Sequence, residues 1–217
     1  TPINMPEEFL SPTPFLDFEH PNFELFLKNI SLQGSERQKA IELYEKVRDH
    51  FLYDPHHLDL RANSLRASNI FTKKRAWCVE KAIVLAALYR KIGIPARLSF
   101  GIVKNHIGVE KLLHYLRREE IVFHGFVKVF LDDKWVSCTP AFDRRICRLM
   151  KVEPLAFNGQ EDSLLQAYSG NHQFMEYLHY YGDFSDVPLD LMKQEMQKYY
   201  PHLFEEEHKS KEFSFLY

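Results

Sequence analysis

The chain has 217 residues, 45% hydrophobic and 27% charged, with 28 Lys and Arg against 30 Asp and Glu for a formal net charge of −2. This size and composition suit one domain with a substantial core, and the near-neutral balance offers no basic field that would draw in nucleic acid. No apolar run approaches the roughly 18 residues of a membrane span, and no basic-then-apolar leader opens the chain, whose first residue is Thr1 rather than Met. Three cysteines, an odd number in no metal-ligand spacing, argue against a disulfide framework and fit a reducing cytoplasm.

Residues 1–22 hold Pro2, Pro6, Pro12, Pro14 and Pro21. Phe9, Phe15, Leu16 and Phe18 are too apolar for a free tail, so the segment reads as an extended arm laid over the domain. Ser35 with Gln38 forms a capping-box signature. Ala40, Ile41, Tyr44, Val47, Arg48 and Phe51 follow at helical spacing, which predicts a helix over about 36–51 ending at Asp54-Pro55. From Cys78 onward, Val79, Ala82, Ile83, Leu85, Ala86, Ala87 and Tyr89 cover nearly the whole helical circumference, the pattern of a helix buried on most sides. Gly93 suits its C-terminal cap and Pro95 prevents resumption.

"ARLSFGIV" (96–103) alternates as a strand, and 107–118 reads as a helix. "VFHGFVKVFL" (122–131) and "KWVSC" (134–138) read as strands joined by Asp132-Asp133 as a two-residue hairpin loop. After Pro140 the chain reads as mostly helical, most clearly over 188–199, with Pro188 in the first turn. The phenyl- and tyrosyl-rich tail ("HQFMEYLHYYGDF", "FSFLY") reads as a helical layer over the core, with a partner groove as the alternative. The expected class is α+β: an arm over 1–34, a core over about 35–145 and a helical extension over about 146–217 in one domain.

The chemistry centres on Cys78. A thiol attacks as its thiolate, which a helix N-terminus and a nearby imidazolium both stabilise. Cys78 stands where the buried helix begins, so the unpaired N–H groups of that first turn would also face a developing oxyanion. His124 is the natural partner among eleven histidines: it opens a strand, Gly125 leaves room beside it, and that strand can pack on the buried helix. A lone cysteine at a helix start is otherwise an ordinary core thiol.

"WCVEKAIVLAALYRKIGIPARLSFGIV" followed by "HGFVKVFLDDKWVSCTPAFD" resembles the transglutaminase-like superfamily of papain-like cysteine enzymes over about residues 40–145. "FNGQEDSLL" and "PTPFLDFEHP" resemble segments of a bacterial branch of it. The resemblance implies a papain-like fold with the cysteine helix packed on an antiparallel sheet. It also implies that Cys78 is the nucleophile and His124 the base, oriented by an acid. Here the sequence departs: the family commonly carries Asp-Pro-Thr, and this chain reads Thr139-Pro140-Ala141. A Thr139 hydroxyl can orient His124 but brings no charge. Three outcomes stay open: a weaker dyad with Thr139, another acid such as Asp143, or lost catalysis.

Trp77 reads first as packing and second as a wall of an acyl-binding cleft. Tyr53 lies near the site if the resemblance holds. Cys138 and Cys147 read as structural thiols. His56, His57, His106, His114 and His172 match no HExxH or CxxC pattern, so no metal and no cofactor is expected. The expected activity is thiol-dependent acyl transfer on a peptide, protein or small amide, to water or to an amine, without nucleic acid or membrane as partner. The alternative is a binding or scaffold protein that retains the fold.

Overall fold

A computed structural model describes residues 5–106, 109–164 and 175–217, so His172 and the first two residues of the helix expected over 107–118 lie outside it. The arm is less extended than its prolines imply. Its end forms α1 (Pro21–Lys28), with Pro21 at the first helical position and the His20 ring accepting the Asn22 N–H. Leu16 and Phe18 are buried, and Phe9 meets Trp135 edge-on.

The capping box forms as expected at α2 (Glu36–His50): Ser35 Oγ accepts the Gln38 N–H and Gln38 Oε1 accepts the Ser35 N–H. Short pieces follow: β1 (Leu52–Tyr53), β2 (His57–Asp59), α3 (Ala67–Ile70) and β3 (Arg75–Ala76). β1 and β3 pair in parallel and lead the chain into α4 (Cys78–Lys91). Residues 78–90 are all buried, as the near-complete apolar circumference predicts. Gly93 adopts a left-handed conformation (φ 82°) just past the helix end, a geometry that favours glycine.

The central sheet is formed by β4 (Ala96–Asn105), β5 (Glu120–Leu131), β6 (Lys134–Cys138) and β7 (Met175–Phe184), with α5 (Glu110–Leu116) between β4 and β5 and α6 (Arg144–Met150) after β6. Its order is β6-β5-β4-β7, with every neighbouring pair antiparallel. Asp132 and Asp133 both take positive φ (49° and 64°), as a two-residue hairpin turn requires. α4 packs against β5.

The segment after 146 is helical only in part. α6 and α7 (Leu189–Tyr199) are helices, whereas Met175–Phe184 is the edge strand β7. "FSFLY" also departs from expectation: within it, β9 (Ser214–Leu216) pairs with β8 (His208–Lys209) and in parallel with β2. Phe215 is fully buried there. Aromatic side chains on both faces of β7 hide the two-residue period, and pairing with the free edge of β4 decides its state.

Candidate active site

Cys78 is the first residue of α4, and Trp77 precedes it with extended backbone; the Trp77 N–H donates to Glu80 Oε2 at 3.3 Å. Lys73 forms an ion pair with the same Glu80 carboxylate. The helix start is therefore tied from two sides. Gly125 of β5 meets it directly: a Cβ on Gly125 would stand 3.0 Å from Val79 Cα. The missing side chain lets strand and helix N-terminus approach closely enough for the Gly125 N–H to act on the Cys78 sulfur.

His124 is aimed by a distortion in β5. Gly101 pairs with His124 and Val103 with Ile121, so two β5 residues, Val122 and Phe123, oppose Ile102 alone. This is a β-bulge, and such bulges re-aim the neighbouring side chain. Phe123 within it takes φ 62°, a conformation costing a bulky residue roughly 1–3 kcal/mol. Stacking on Tyr181 (ring centroids 4.5 Å apart) and contact with Phe100 (5.3 Å) offset that strain. The Tyr200 hydroxyl accepts the Val122 N–H at 2.8 Å and donates to the Glu120 carbonyl at 2.5 Å, which satisfies the backbone that the bulge frees.

Thr139 leaves β6 with its backbone held on both sides. Its N–H donates to the Ser163 carbonyl at 3.0 Å, and its carbonyl lies 3.1 Å from the Tyr44 hydroxyl. Cys78, His124 and Thr139 are 4%, 2% and 4% exposed.

Burial dominates the electrostatics. It pushes the Cys78 thiol up to about 11, against the pull of the Gly125, Val79 and Cys78 N–H groups toward the thiolate. Burial likewise pulls His124 down to about 4. At neutral pH the resting pair is therefore an uncharged thiol and an uncharged imidazole. The folded His124 value lies below the unfolded 6.5, so the unfolded chain binds more protons between these two values. The contribution of His124 to stability is thus complete above pH 6.5 and lost as pH falls toward 4, on the order of 3 kcal/mol. Glu80, raised by burial from 4.5 to about 7, works in the opposite sense over an overlapping window. Urea unfolding of wild type and His124→Gln side by side isolates the histidine. The difference between them should change by that amount from pH 6.5 to 4, and a pH-independent difference would refute it.

The other sequence candidates divide. Tyr53 lies near Cys78: burial raises its hydroxyl first, and an ionised Cys78 would raise it further. Trp77 is 4% exposed with its Nε1 unpartnered. Asp143 is committed elsewhere. Its Oδ1 caps α6 by accepting the Arg145 and Ile146 N–H groups, and its Oδ2 accepts the Tyr53 N–H at 2.7 Å. A carboxylate holding three backbone donors does not swing to His124. Cys138 and Cys147 are buried free thiols, Cys138 lying 3.9 Å from the Tyr89 hydroxyl.

Two contributors escaped the sequence reading. Tyr177 of β7 meets the His124 ring edge-on at 5.9 Å. Lys81, one turn into α4, is fully buried and donates to the carbonyls of Arg48, Phe51 and Ala141 at 2.8, 3.0 and 2.7 Å. Lys81 had a visible signal, a charge inside an otherwise apolar helix; Tyr177 had none.

This arrangement, a cysteine heading a buried helix against a histidine strand of an antiparallel sheet, has a counterpart among known families. The transglutaminase-like superfamily model matches residues 26–140, more than half of the chain. The chain belongs to the transglutaminase-like superfamily, and its α+β architecture is that of the papain-like fold. A solved structure of a Cytophaga hutchinsonii protein, provisionally assigned as a cysteine protease, aligns at 13% identity with a TM-score of 0.47. The alignment covers 64% of this chain and 43% of that one, less than half of that protein's length. No curated protein matches the chain. Among the described residues, no helix is long and apolar enough to cross a membrane.

Proposed function

We propose that Cys78 is the nucleophile of a thiol-dependent acyl transfer on an amide or peptide, with His124 as its base and Thr139 in the orienting place usually held by aspartate. One observation carries this reading: Gly125 lets the strand that holds His124 pack directly on the helix start that Cys78 heads, so closely that a Cβ there would stand 3.0 Å from Val79 Cα. Because both resting groups are neutral, proton transfer accompanies attack instead of preceding it. As sulfur bonds to the carbonyl carbon, the thiol proton passes to His124 and the carbonyl electron pair becomes an oxyanion facing the first N–H groups of α4. Collapse breaks the C–N bond, and the leaving amine takes the proton from His124. Water or a second amine then attacks the thioester, with His124 removing its proton and the thiol re-forming. Hydrolysis is favoured, since nothing in the sequence marks a second site for an amine donor. The unpaired cysteines fit a cytoplasmic setting.

A specific observation favours a second reading, a binding or scaffold protein retaining the fold. Among the described residues no carboxylate bonds His124 Nε2, and burial opposes charge on both members of the pair.

Iodoacetamide separates the two. An acting base should give labelling of Cys78 at pH 7, lost by at least about tenfold in His124→Ala, with Cys78→Ala marking the background from other thiols. Labelling that rises only toward pH 11 and ignores His124 would establish the non-catalytic reading. Ammonia release beside labelled-amine incorporation then distinguishes hydrolase from transferase.

A further inference from the structure

Among the described residues six buried side-chain atoms lack a hydrogen-bond partner, and four of these belong to residues around Cys78: Trp77 Nε1, beside it in the chain, and His124 Nε2, Thr139 Oγ1 and the Tyr177 hydroxyl, brought there by the fold. Buried polar atoms are nearly always bonded, so four orphans in one small region mark chemistry more than packing. The last three are close neighbours. The Tyr177 ring abuts the His124 ring, and burial raises its hydroxyl above the usual tyrosine value, opposed by the nearby Thr139 hydroxyl and reinforced by Cys78.

The sheet is shaped to place Tyr177 there. Gly101 lies opposite His124, and a Cβ on it would stand 2.7 Å from the His179 carbonyl and 3.2 Å from the Tyr177 ring. The β4–β7 register slips on both sides of this point, between Phe100 and Gly101 and between Ile102 and Val103. Asp183 anchors the far end of β7 by accepting from Ser99 at 2.5 Å and pairing with Arg97 at 2.8 Å and Lys128 at 3.1 Å.

We propose that Thr139 and Tyr177 together replace the missing carboxylate, forming an uncharged two-hydroxyl arm that orients His124; this rests on the Cys78–His124 reading. Each group in the arm is donor and acceptor at once. None of these three atoms has a hydrogen-bond partner in this conformation; when the arm closes, His124 Nε2–H donates to Thr139 Oγ1 and the Thr139 hydroxyl donates to the Tyr177 oxygen, which leaves the Tyr177 proton for the Cys78 side. The other imidazole nitrogen is thereby kept free to take the thiol proton, which is the task of a third member. Tyr177 is on this account a positioning residue.

Tyr177→Phe removes one unpartnered oxygen and keeps the ring, so the fold should persist. Cys78 modification by iodoacetamide, followed by intact mass across pH on the full chain, is the readout. The variant should react roughly tenfold more slowly at pH 7, with the profile midpoint moved up by roughly one unit. A carboxylate at 139 should bypass the arm: Thr139→Asp/Tyr177→Phe should react as fast as Thr139→Asp alone. A Tyr177→Phe profile that superposes on wild type, or falls equally at every pH, would overturn the arm while His124→Ala still abolished reactivity. If wild-type reactivity ignored His124, the arm and the Cys78–His124 reading would fall together.

Discussion

Replacing Lys81 by methionine should destabilise the protein by about 3 kcal/mol, even though it removes a charge from the core. The ammonium has three protons, and three backbone carbonyls, those of Arg48, Phe51 and Ala141, receive them at 2.7–3.0 Å. Methionine fills similar volume but leaves all three acceptors buried without a donor, each costing about 1–3 kcal/mol. Relief of a buried charge offsets part of this. Burial pulls Lys81 from 10.5 down to about 7, with Asp143 and Asp49 acting to hold it charged. The carbonyls belong to the end of α2, the residue before β1, and the loop two residues beyond Thr139, so Lys81 ties three segments to the cysteine helix. A lower urea midpoint with unchanged slope is the expected result. A midpoint equal to or above wild type would show that the charge costs more than the three bonds return.

Gly125→Ala should strike the site harder than the fold. Its added methyl would stand 3.0 Å from Val79 Cα and 3.2 Å from Val79 Cγ2, closer than a Cβ normally sits. The nearer atom is helix backbone, so no side-chain rotation relieves it. Overpacking of this kind costs roughly 1–3 kcal/mol. Alanine restricts the unfolded chain, which returns about 0.4–1 kcal/mol, and the net loss of stability should be modest. Separating α4 from β5 moves Cys78 away from both the Gly125 N–H and His124. Cys78 labelling at pH 7 should therefore drop by about tenfold or more while the chain remains folded. Val79→Ala in the same chain removes the Cγ2 clash but not the Cα clash, so it should restore only part of the rate. Undiminished labelling in Gly125→Ala would contradict the close approach on which the proposed mechanism rests.

Both expectations depend on features of unequal visibility in the sequence. The burial of α4 was legible because its apolar residues cover the full circumference, and the Asp132-Asp133 turn because two residues between alternating strands admit few geometries. Lys81 was legible in principle, since a charge in such a helix requires partners. Asp143 was not: an aspartate four residues beyond Thr139 looks equally suited to meet a histidine or to cap a helix. Only the placement of α6 and of the Tyr53 N–H commits it to capping.

Local pattern alone determined that a cysteine heads a buried helix, that a histidine–glycine step lies in a candidate partner strand, and that Thr139-Pro140 follows the second strand of the hairpin. These are facts of residue identity and short-range period, which a chain carries before it folds. The histidine sits inside β5 (Glu120–Leu131) and does not open it. Tertiary structure alone decided where β7 lies, because an edge strand is defined by the partner that accepts its hydrogen bonds and not by its own alternation. With β7 came Tyr177, and with the bulge at Val122–Phe123 came the aim of His124. The low dielectric around Cys78 and His124 is likewise a property of the assembled core, and it sets their resting state as a neutral pair.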